Sequence, residues 1–426
     1  MLEEGPLSAN WIECSYYIEA TTGLEAAAAE LVGEQTSGTF IKVPGESDAL
    51  ADRFGGRVLT VKRFEDQRPS LRSRFHIPAV EAGIISVAYP VGNFGADLTT
   101  LLTVIAGNLY ELGHLTACRL VDIDIPEEFC KNHAGPAFGI QGTRSSVDVV
   151  EGPLIGTIIK PNIGLLEDDF RSTVRNLLDS GVDFLKDDEI NANPAHLPFD
   201  RRVEIVCDET ERAADKHGRK VPYAFNVAGP LHDLERKHNL VLERGGQCVM
   251  LPVFYQGVSA VEYLRALGGL QIHAHRAGFA AISRSSAVGI DFTVWQKVLQ
   301  LAGADHIHAS GLQSKFYETD DEVASNIKSI QAGVSDHLTP SLPVLSSGQT
   351  VFAAQPTLDK VGSTDVMMLA GGGIIGHPLG ASAGVSSLRQ AWEAASRGIE
   401  LATYGEQRDA KGDHSLSSAI DKFGDK

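Results

Sequence analysis

The sequence is short of several things, and each shortage removes a class of function. Positive charge is scarce: 37 Lys and Arg stand against 55 Asp and Glu, the net charge is −18, and no basic stripe occurs. Neutralising the phosphates of a nucleic acid, or docking on an anionic bilayer, needs clustered Lys and Arg. Neither nucleic acid nor membrane is therefore expected as a partner. An anionic small substrate stays open, because one local basic pocket suffices. Cysteine is scarce too. Cys14, Cys118, Cys130, Cys207 and Cys248 make an odd count of five with no CxxC spacing. That supports neither a disulfide framework nor a thiolate zinc site, and a reducing, cytoplasmic setting is expected. Apolar runs of transmembrane length are missing. The opening "MLEEGPLSANW" is acidic and has no apolar centre, so no secretory leader is expected.

What is present is ordinary for a globular protein: 426 residues, 43% hydrophobic and 22% charged, enough for two domains or one large one. Residues 11 to about 125 mix strand-like segments ("WIECSYYIEA", "RVLTVKRFE", "GIISVAYPV", "ACRLVDIDIP") with helical spacing over Glu25 to Thr36 and Asp97 to Leu112. This reads as a small α+β domain, placed at 1–134. "CKNHAGPAFGIQG" has no periodicity and reads as a connector. Beyond it, eight short apolar runs recur: "IGTIIKP", "VDFLKDD", "YAFNVAG", "CVMLPVF", "QIHAHRA", "DHIHAS", "PVLSSG" and "DVMMLAGGG". Helical patterns such as "FRSTVRNLLDSG", "VEYLRALGG" and "SLRQAWEAASRG" separate them. Near-continuous apolar strands between helices mean a buried parallel sheet. Eight units fit a (β/α)8 barrel over 135–426, with a helical tail; a doubly wound open sheet is the alternative. No self-similarity at a fixed period occurs.

A barrel puts its chemistry at the C-terminal ends of its strands. Lys160, then Lys186, Asp188 and Glu189, then Asn226, His273, His275 and Arg276, then His306 and His308, then Ser346 and Ser347, and finally Gly371 to Gly373 all fall there. "DFLKDDE" is the densest of these. It reads either as a local ion-pair cluster or as a magnesium site, since Mg²⁺ takes hard oxygen ligands and two carboxylates supply them. A lysine ammonium is no ligand, but addition of CO2 converts the amine to a carbamate anion. Lys160 is either a snorkelling surface lysine or a general acid–base. Arg276 suits an anion, and His275 and His308 are either core histidines or proton-exchanging groups. "LAGGGIIGHPLG" contains GxGxxG at Gly371, Gly373 and Gly376. That is a weak dinucleotide signal alone. After the last barrel strand it suits a phosphate held on backbone N–H groups, with Ser346 and Gly348 of "LSSGQT" as the other half.

Taken in order, "GTIIKP", "GVDFLKDDE", "HAHRAG", "DHIHAS" with Lys315, "SSG" and "GGGIIGHP" resemble the large subunit of ribulose-bisphosphate carboxylase over most of the chain. The resemblance implies a ferredoxin-like α+β domain before a (β/α)8 TIM barrel. It implies Mg²⁺ bound by Asp188, Glu189 and a CO2-derived carbamate on Lys186. It makes Lys160 the lysine that moves the substrate proton, Lys315 the mobile-loop lysine that holds a carboxylate, and His275, Arg276, His308, Ser346, Gly348, Gly371 and Gly372 substrate and phosphate contacts. "EQTSGTF" resembles the segment that enters the partner subunit's site, which brings in Glu34 and Thr39, with Asn108 nearby. A homodimer with shared sites is implied, with higher assemblies of dimers open.

The departures from that family are losses of polar groups at the reacting centre. Asn162, expected as a substrate contact, stands in place of a second lysine, and Phe279 in place of a histidine. Phe40 replaces a tryptophan, "SSGQT" replaces "SGG", and the loop "SGLQSKFYE" is altered. The chain is therefore similar to the RuBisCO-like proteins, form IV, rather than to CO2-fixing members. The implied substrate is a phosphorylated sugar acid or keto-sugar, turned over through a metal-stabilised enediolate. Decarboxylation of a 3-oxo sugar-acid phosphate of the 3-oxo-isoapionate 4-phosphate type is expected, because a phosphorylated sugar acid carries two anions. The alternatives are an enolase or isomerase of the methylthioribulose-phosphate type, a transcarboxylase or hydrolase that cleaves a C–C bond, and a decayed carboxylase acting as a scaffold.

Overall fold

The structure, a computed structural model, describes residues 10–38, 43–65, 67–72, 77 and 79–424. Two compact units are present. The first takes 1–134 with 278–302 and 334–338; the second takes 135–277, 303–333 and 339–426. No helix among the described residues is long and apolar enough to cross a membrane.

The first unit is built on a sheet of β1 (Trp11–Ala20), β2 (Arg57–Arg63), β3 (Glu81–Pro90) and β4 (Leu115–Asp124), in the order β4-β1-β3-β2 and antiparallel throughout. Along β1 the residues Ile12, Cys14, Tyr16 and Ile18 are fully buried, the period-2 pattern of a strand with one wet face. The helix Leu24–Glu34 buries Ala27, Ala28, Leu31 and Val32. The helix Leu98–Ala106 starts where Asp97 accepts from the Thr100 amide, and buries Leu98, Leu101 and Ile105 at helical spacing. Tyr16 ties sheet to helix, its hydroxyl donating to the Ile105 carbonyl at 2.5 Å. Strand, helix, two strands, helix, strand in this order is the ferredoxin-like arrangement. A short strand, β10 (Val288–Ile290), adds to it in parallel beside β4. Three residues, "VGI", carry too little pattern to be read as a strand from sequence.

The second unit is a closed barrel of eight parallel strands: β5 (Leu154–Ile158), β6 (Phe184–Lys186), β7 (Tyr223–Asn226), β8 (Cys248–Pro252), β9 (Gln271–His275), β11 (His306–His308), β12 (Leu342–Leu345) and β13 (Met367–Leu369), with β13 pairing β5 to close the ring. All eight apolar runs are strands. Buried on both faces, they need no alternation. Leu154, Phe184, Ala224, Cys248, Met250, Leu342, Val344, Met367 and Leu369 form the interior core. Gly156 is required by packing there, since a Cβ would lie 2.6 Å from the Phe184 carbonyl oxygen.

The stretch read as a connector holds the start of a helix, Gly139–Val147, whose Ile140 and Val147 join that core and close the floor of the barrel. Asp305, fully buried, fixes the helix start: it accepts from the amides of Phe138 (2.6 Å), Gly139 (3.0 Å) and Ile272 (2.8 Å). A helix of nine residues beginning on "GPAFG" has few N-terminal signals, and the buried carboxylate supplies the capping that its own sequence lacks.

Candidate active site at the barrel mouth

The second barrel strand ends in Lys186, and its alternation sorts the acids that follow. Asp187 points out of the barrel into a fully buried knot. It pairs with Arg202 at 3.0 Å, accepts from the Tyr223 hydroxyl at 2.6 Å and from the Asn226 amide at 2.8 Å. Burial, then the Asp187 charge, holds the Tyr223 phenol well above its ordinary pKa, so it stays a donor. Asn226 continues the knot, its Nδ2 donating to the carbonyls of Asp188 and Glu189 at 3.2 and 2.9 Å. These bonds fix the backbone that carries Asp188 and Glu189.

Lys186, Asp188 and Glu189 are brought together. Lys186 is fully buried; its Nζ donates to the Asp187 carbonyl at 2.7 Å and lies 3.9 Å from Glu189 Oε2. Burial pushes the amine pKa down, against the raising effect of Glu189 and Asp188. A lowered amine pKa favours the neutral form that attacks CO2. Lys160, two residues past β5, donates to Asp188 Oδ2 at 2.7 Å and to Asn162 Oδ1 at 2.6 Å. Gly371 sits over the same lysine: a Cβ there would be 3.6 Å from Lys160 Cε, while one on Gly372 would meet open space. His275 Nε2 lies 3.5 Å from Glu189 Oε2. Among the described residues no three His, Cys, Asp or Glu side chains gather as a metal group. Asp188 and Glu189 offer two carboxylates to a divalent cation, and a carbamate on Lys186 would provide a third oxygen donor.

The histidines form a row through the barrel. Thr143 Oγ1 on the floor helix donates to the Gly139 carbonyl at 2.5 Å and lies 2.8 Å from His306 Nε2. His306 Nδ1 meets His273 Nδ1 at 3.3 Å, His273 Nε2 meets His308 Nε2 at 2.7 Å, and His308 Nδ1 meets Ser346 Oγ at 3.2 Å. Burial lowers every one of these imidazoles, His306 to about 3 and His273 and His308 well below the usual value, so all are neutral at neutral pH. Donor counting then assigns the tautomers. The Thr143 proton is given to Gly139, so His306 Nε2 must donate; His273 then donates through Nδ1 and His308 through Nε2. The Ser346 hydroxyl proton goes to His308 Nδ1. His275, packed 4.3 Å from the His308 ring, is lowered as well, first by burial and then by Lys186.

Arg276, just past β9, is held by Glu318. Nη1 donates to Oε1 at 3.0 Å, and Nη2 binds the other carboxylate oxygen, with the two side chains only 9% and 5% exposed. Glu318 lies just before Thr319, whose capping box with Glu322 starts the helix Asp320–Ala332. Lys315 is exposed near the tip of the same loop, its Nζ 6.0 Å from the Phe316 ring centre. Ser347 adopts a positive φ of 71° and its buried Oγ has no partner among the described residues. Gly348 follows at φ 80°. Gly373 must lack a Cβ, which would fall 2.5 Å from the Gln349 carbonyl oxygen.

In the first unit, Glu34 ends its helix and Asn108 opens the turn Asn108–Glu111. The two turns are neighbours: a Cβ on Gly107 would lie 3.0 Å from Gln35 Oε1. Thr39 lies outside the described residues. Sequence reasoning passed over Asp187 and Glu318. "KDDE" contains two adjacent Asp, and strand alternation alone would have sent Asp187 away from the other acids.

Residues 139–423 match the family described as ribulose bisphosphate carboxylase large chain, catalytic domain, and residues 8–129 its N-terminal domain. The chain is 42% identical to a 3-oxo-isoapionate-4-phosphate transcarboxylase/hydrolase from Xanthobacter autotrophicus, covering 92% of this chain and 95% of that one. It is 37% identical to a 3-oxo-isoapionate-4-phosphate decarboxylase from Rhizobium rhizogenes, over 97% and 99%. A rubisco-like protein of known structure from Burkholderia fungorum superposes with a TM-score of 0.90 at 37% identity, over 97% of this chain and all of that one.

Proposed function

The chain belongs to the ribulose bisphosphate carboxylase large-chain family, and from that membership we propose that it is a Mg²⁺-dependent enzyme that decarboxylates a phosphorylated 3-oxo sugar acid, 3-oxo-isoapionate 4-phosphate, rather than fixing CO2. One observation carries the reading: the Lys160 ammonium, on Asp188 at 2.7 Å, lies beside both the Lys186–Asp188–Glu189 cluster and Gly371, the first residue of the helix Gly371–Ile375. A proton donor, a cation site and a phosphate cradle then surround one small volume.

Each group has a role in this reading. Asp188, Glu189 and a carbamate on Lys186 would hold Mg²⁺, which supplies Lewis-acid stabilisation of negative charge. Backbone N–H groups of Gly348, Gly371 and Gly372 bind the phosphate. Lys315 takes the substrate carboxylate. The bond from that carboxylate to the neighbouring carbon breaks, its electron pair moves toward the 3-oxo oxygen, and CO2 departs. Lys160 gives its proton to the carbon of the resulting enediolate. His275, neutral through burial, orients a substrate hydroxyl. Glu34, Thr39 and Asn108 complete the site of a second copy in a homodimer, which sedimentation measures.

Purified protein with Mg²⁺, bicarbonate and 3-oxo-isoapionate 4-phosphate should release CO2. No CO2, with turnover of a methylthioribulose phosphate instead, would sink the proposal in favour of an isomerase. The relative at 42% identity favours one second reading, hydrolytic C–C cleavage of the same substrate. The product mixture separates the two. Failure to bind Mg²⁺ at all would leave the scaffold reading.

A further inference from the structure

We infer that Glu318 sets substrate specificity: it fills the guanidinium fork of Arg276, so this end of the site takes an uncharged, hydroxyl-bearing group and rejects a second phosphate. The inference rests on the proposal that the site binds a phosphorylated substrate, and narrows it to monophosphates.

Three residues at the ends of neighbouring strands β9, β11 and β12 would meet an anion there: Arg276, His308 and Ser346. His308 and Ser346 have no donor to give, and the two ends of the Arg276 fork are taken by Glu318. Both carboxylate oxygens of Glu318 face the two terminal nitrogens of Arg276, the geometry a phosphate would need. The pair is anchored on both sides, Arg276 by the end of β9 and Glu318 by the capped helix start at Thr319. His308 carries its single proton on Nε2, toward His273, and turns a lone pair to Ser346. Ser346 spends its hydroxyl proton on that lone pair, which leaves only acceptor lone pairs facing outward. A phosphate dianion arriving here would have to expel Glu318, leave a carboxylate buried beside it, and reverse the whole histidine row. A sugar hydroxyl, by contrast, can donate to Ser346. Discrimination by an intramolecular like charge of this kind needs no change in pocket size.

Calorimetry with two probes, ribulose 5-phosphate and ribulose 1,5-bisphosphate, tests this. The unsubstituted protein should bind the bisphosphate at least about tenfold more weakly than the monophosphate. Glu318→Gln should bind the bisphosphate at least about tenfold more tightly, a modest yield for a charge-assisted bidentate contact, with the monophosphate unchanged. Adding Arg276→Gln to Glu318→Gln should erase the gain. Should Glu318→Gln not fold, Glu318→Asp keeps the buried charge compensated but cannot span both nitrogens, and should show a smaller gain of the same sign. Equal or tighter binding of the bisphosphate without any substitution overturns the inference, as does a monophosphate-binding variant that gains nothing. If the unsubstituted protein binds neither probe, the phosphate reading itself falls, and this inference with it.

Discussion

Asp187→Asn should unfold the barrel far more readily than its conservative chemistry suggests. The carboxylate is fully buried and has three partners: Arg202 at 3.0 Å, Tyr223 at 2.6 Å and the Asn226 amide at 2.8 Å. All three donate. An asparagine keeps one acceptor oxygen and turns an NH2 toward a donor, so at least one partner loses its bond. The larger effect is on Arg202, itself fully buried, which is left as an uncompensated charge. Removing one member of a buried pair costs about 3–5 kcal/mol. The remaining carbonyl bonds of Arg202, to Ala192 at 2.6 Å and Leu197 at 3.4 Å, stabilise the cation only in part. Urea unfolding followed by circular dichroism measures the loss. Arg202→Met added to Asp187→Asn removes the stranded charge and should recover at least half of it, because replacing a buried pair by apolar groups is often neutral. A loss under about 1 kcal/mol for Asp187→Asn would refute the reasoning, as would a double variant no more stable than the single one, since each would mean that Arg202 is solvated or re-paired.

Other expectations follow from the same geometry. Lys186→Ala should abolish the part of Mg²⁺ binding that depends on bicarbonate in calorimetry, while leaving the fold intact by circular dichroism; retained dependence would place the carbamate elsewhere. Lys160→Met should lower kcat about 10²- to 10⁴-fold with little change in KM, the range for a lost proton-transfer group, as initial rates would show. Stability should fall as the pH is lowered from about 6.5. His306 has a folded pKa of about 3, and His273 and His308 are also lowered, all first by burial. Their neutral forms are favoured by the fold, so the unfolded chain binds protons first. Each group then removes up to ~1.4 kcal/mol per pH unit below 6.5 until its folded pKa is reached. Urea midpoints between pH 7 and pH 5 check this above the range of the carboxylates; a flat profile there would contradict it.

The eight barrel strands were legible because a strand buried on both faces leaves an unbroken apolar run, and "IGTIIKP" through "DVMMLAGGG" are such runs. The cluster at Lys186, Asp188 and Glu189 was legible because its members are nearly contiguous and end one of those strands. What escaped notice depends on distance along the chain. Glu318 meets Arg276 across 42 residues, and nothing in "SGLQSKFYE" marks its last residue as a partner for "HAHRAG". The floor helix Gly139–Val147 is set by Asp305, more than 160 residues away. The strand β10 exists only because β4 offers it an edge. The histidines of "HIHAS" and "HAHRAG" were visible as residues, but their directionality was not, because it depends on how Thr143 uses one proton.

That row has a property no single member possesses. Four hydrogen bonds link Thr143, His306, His273, His308 and Ser346, and with one proton per neutral imidazole they can run only all one way or all the other. The row is a dipole chain with two states. The Gly139 carbonyl selects one of them at the barrel floor, by taking the Thr143 proton. The orientation of a hydroxyl at the mouth is thus decided at the opposite end of the barrel, with no backbone movement between, and any group that forces Ser346 to donate outward must turn over every imidazole beneath it.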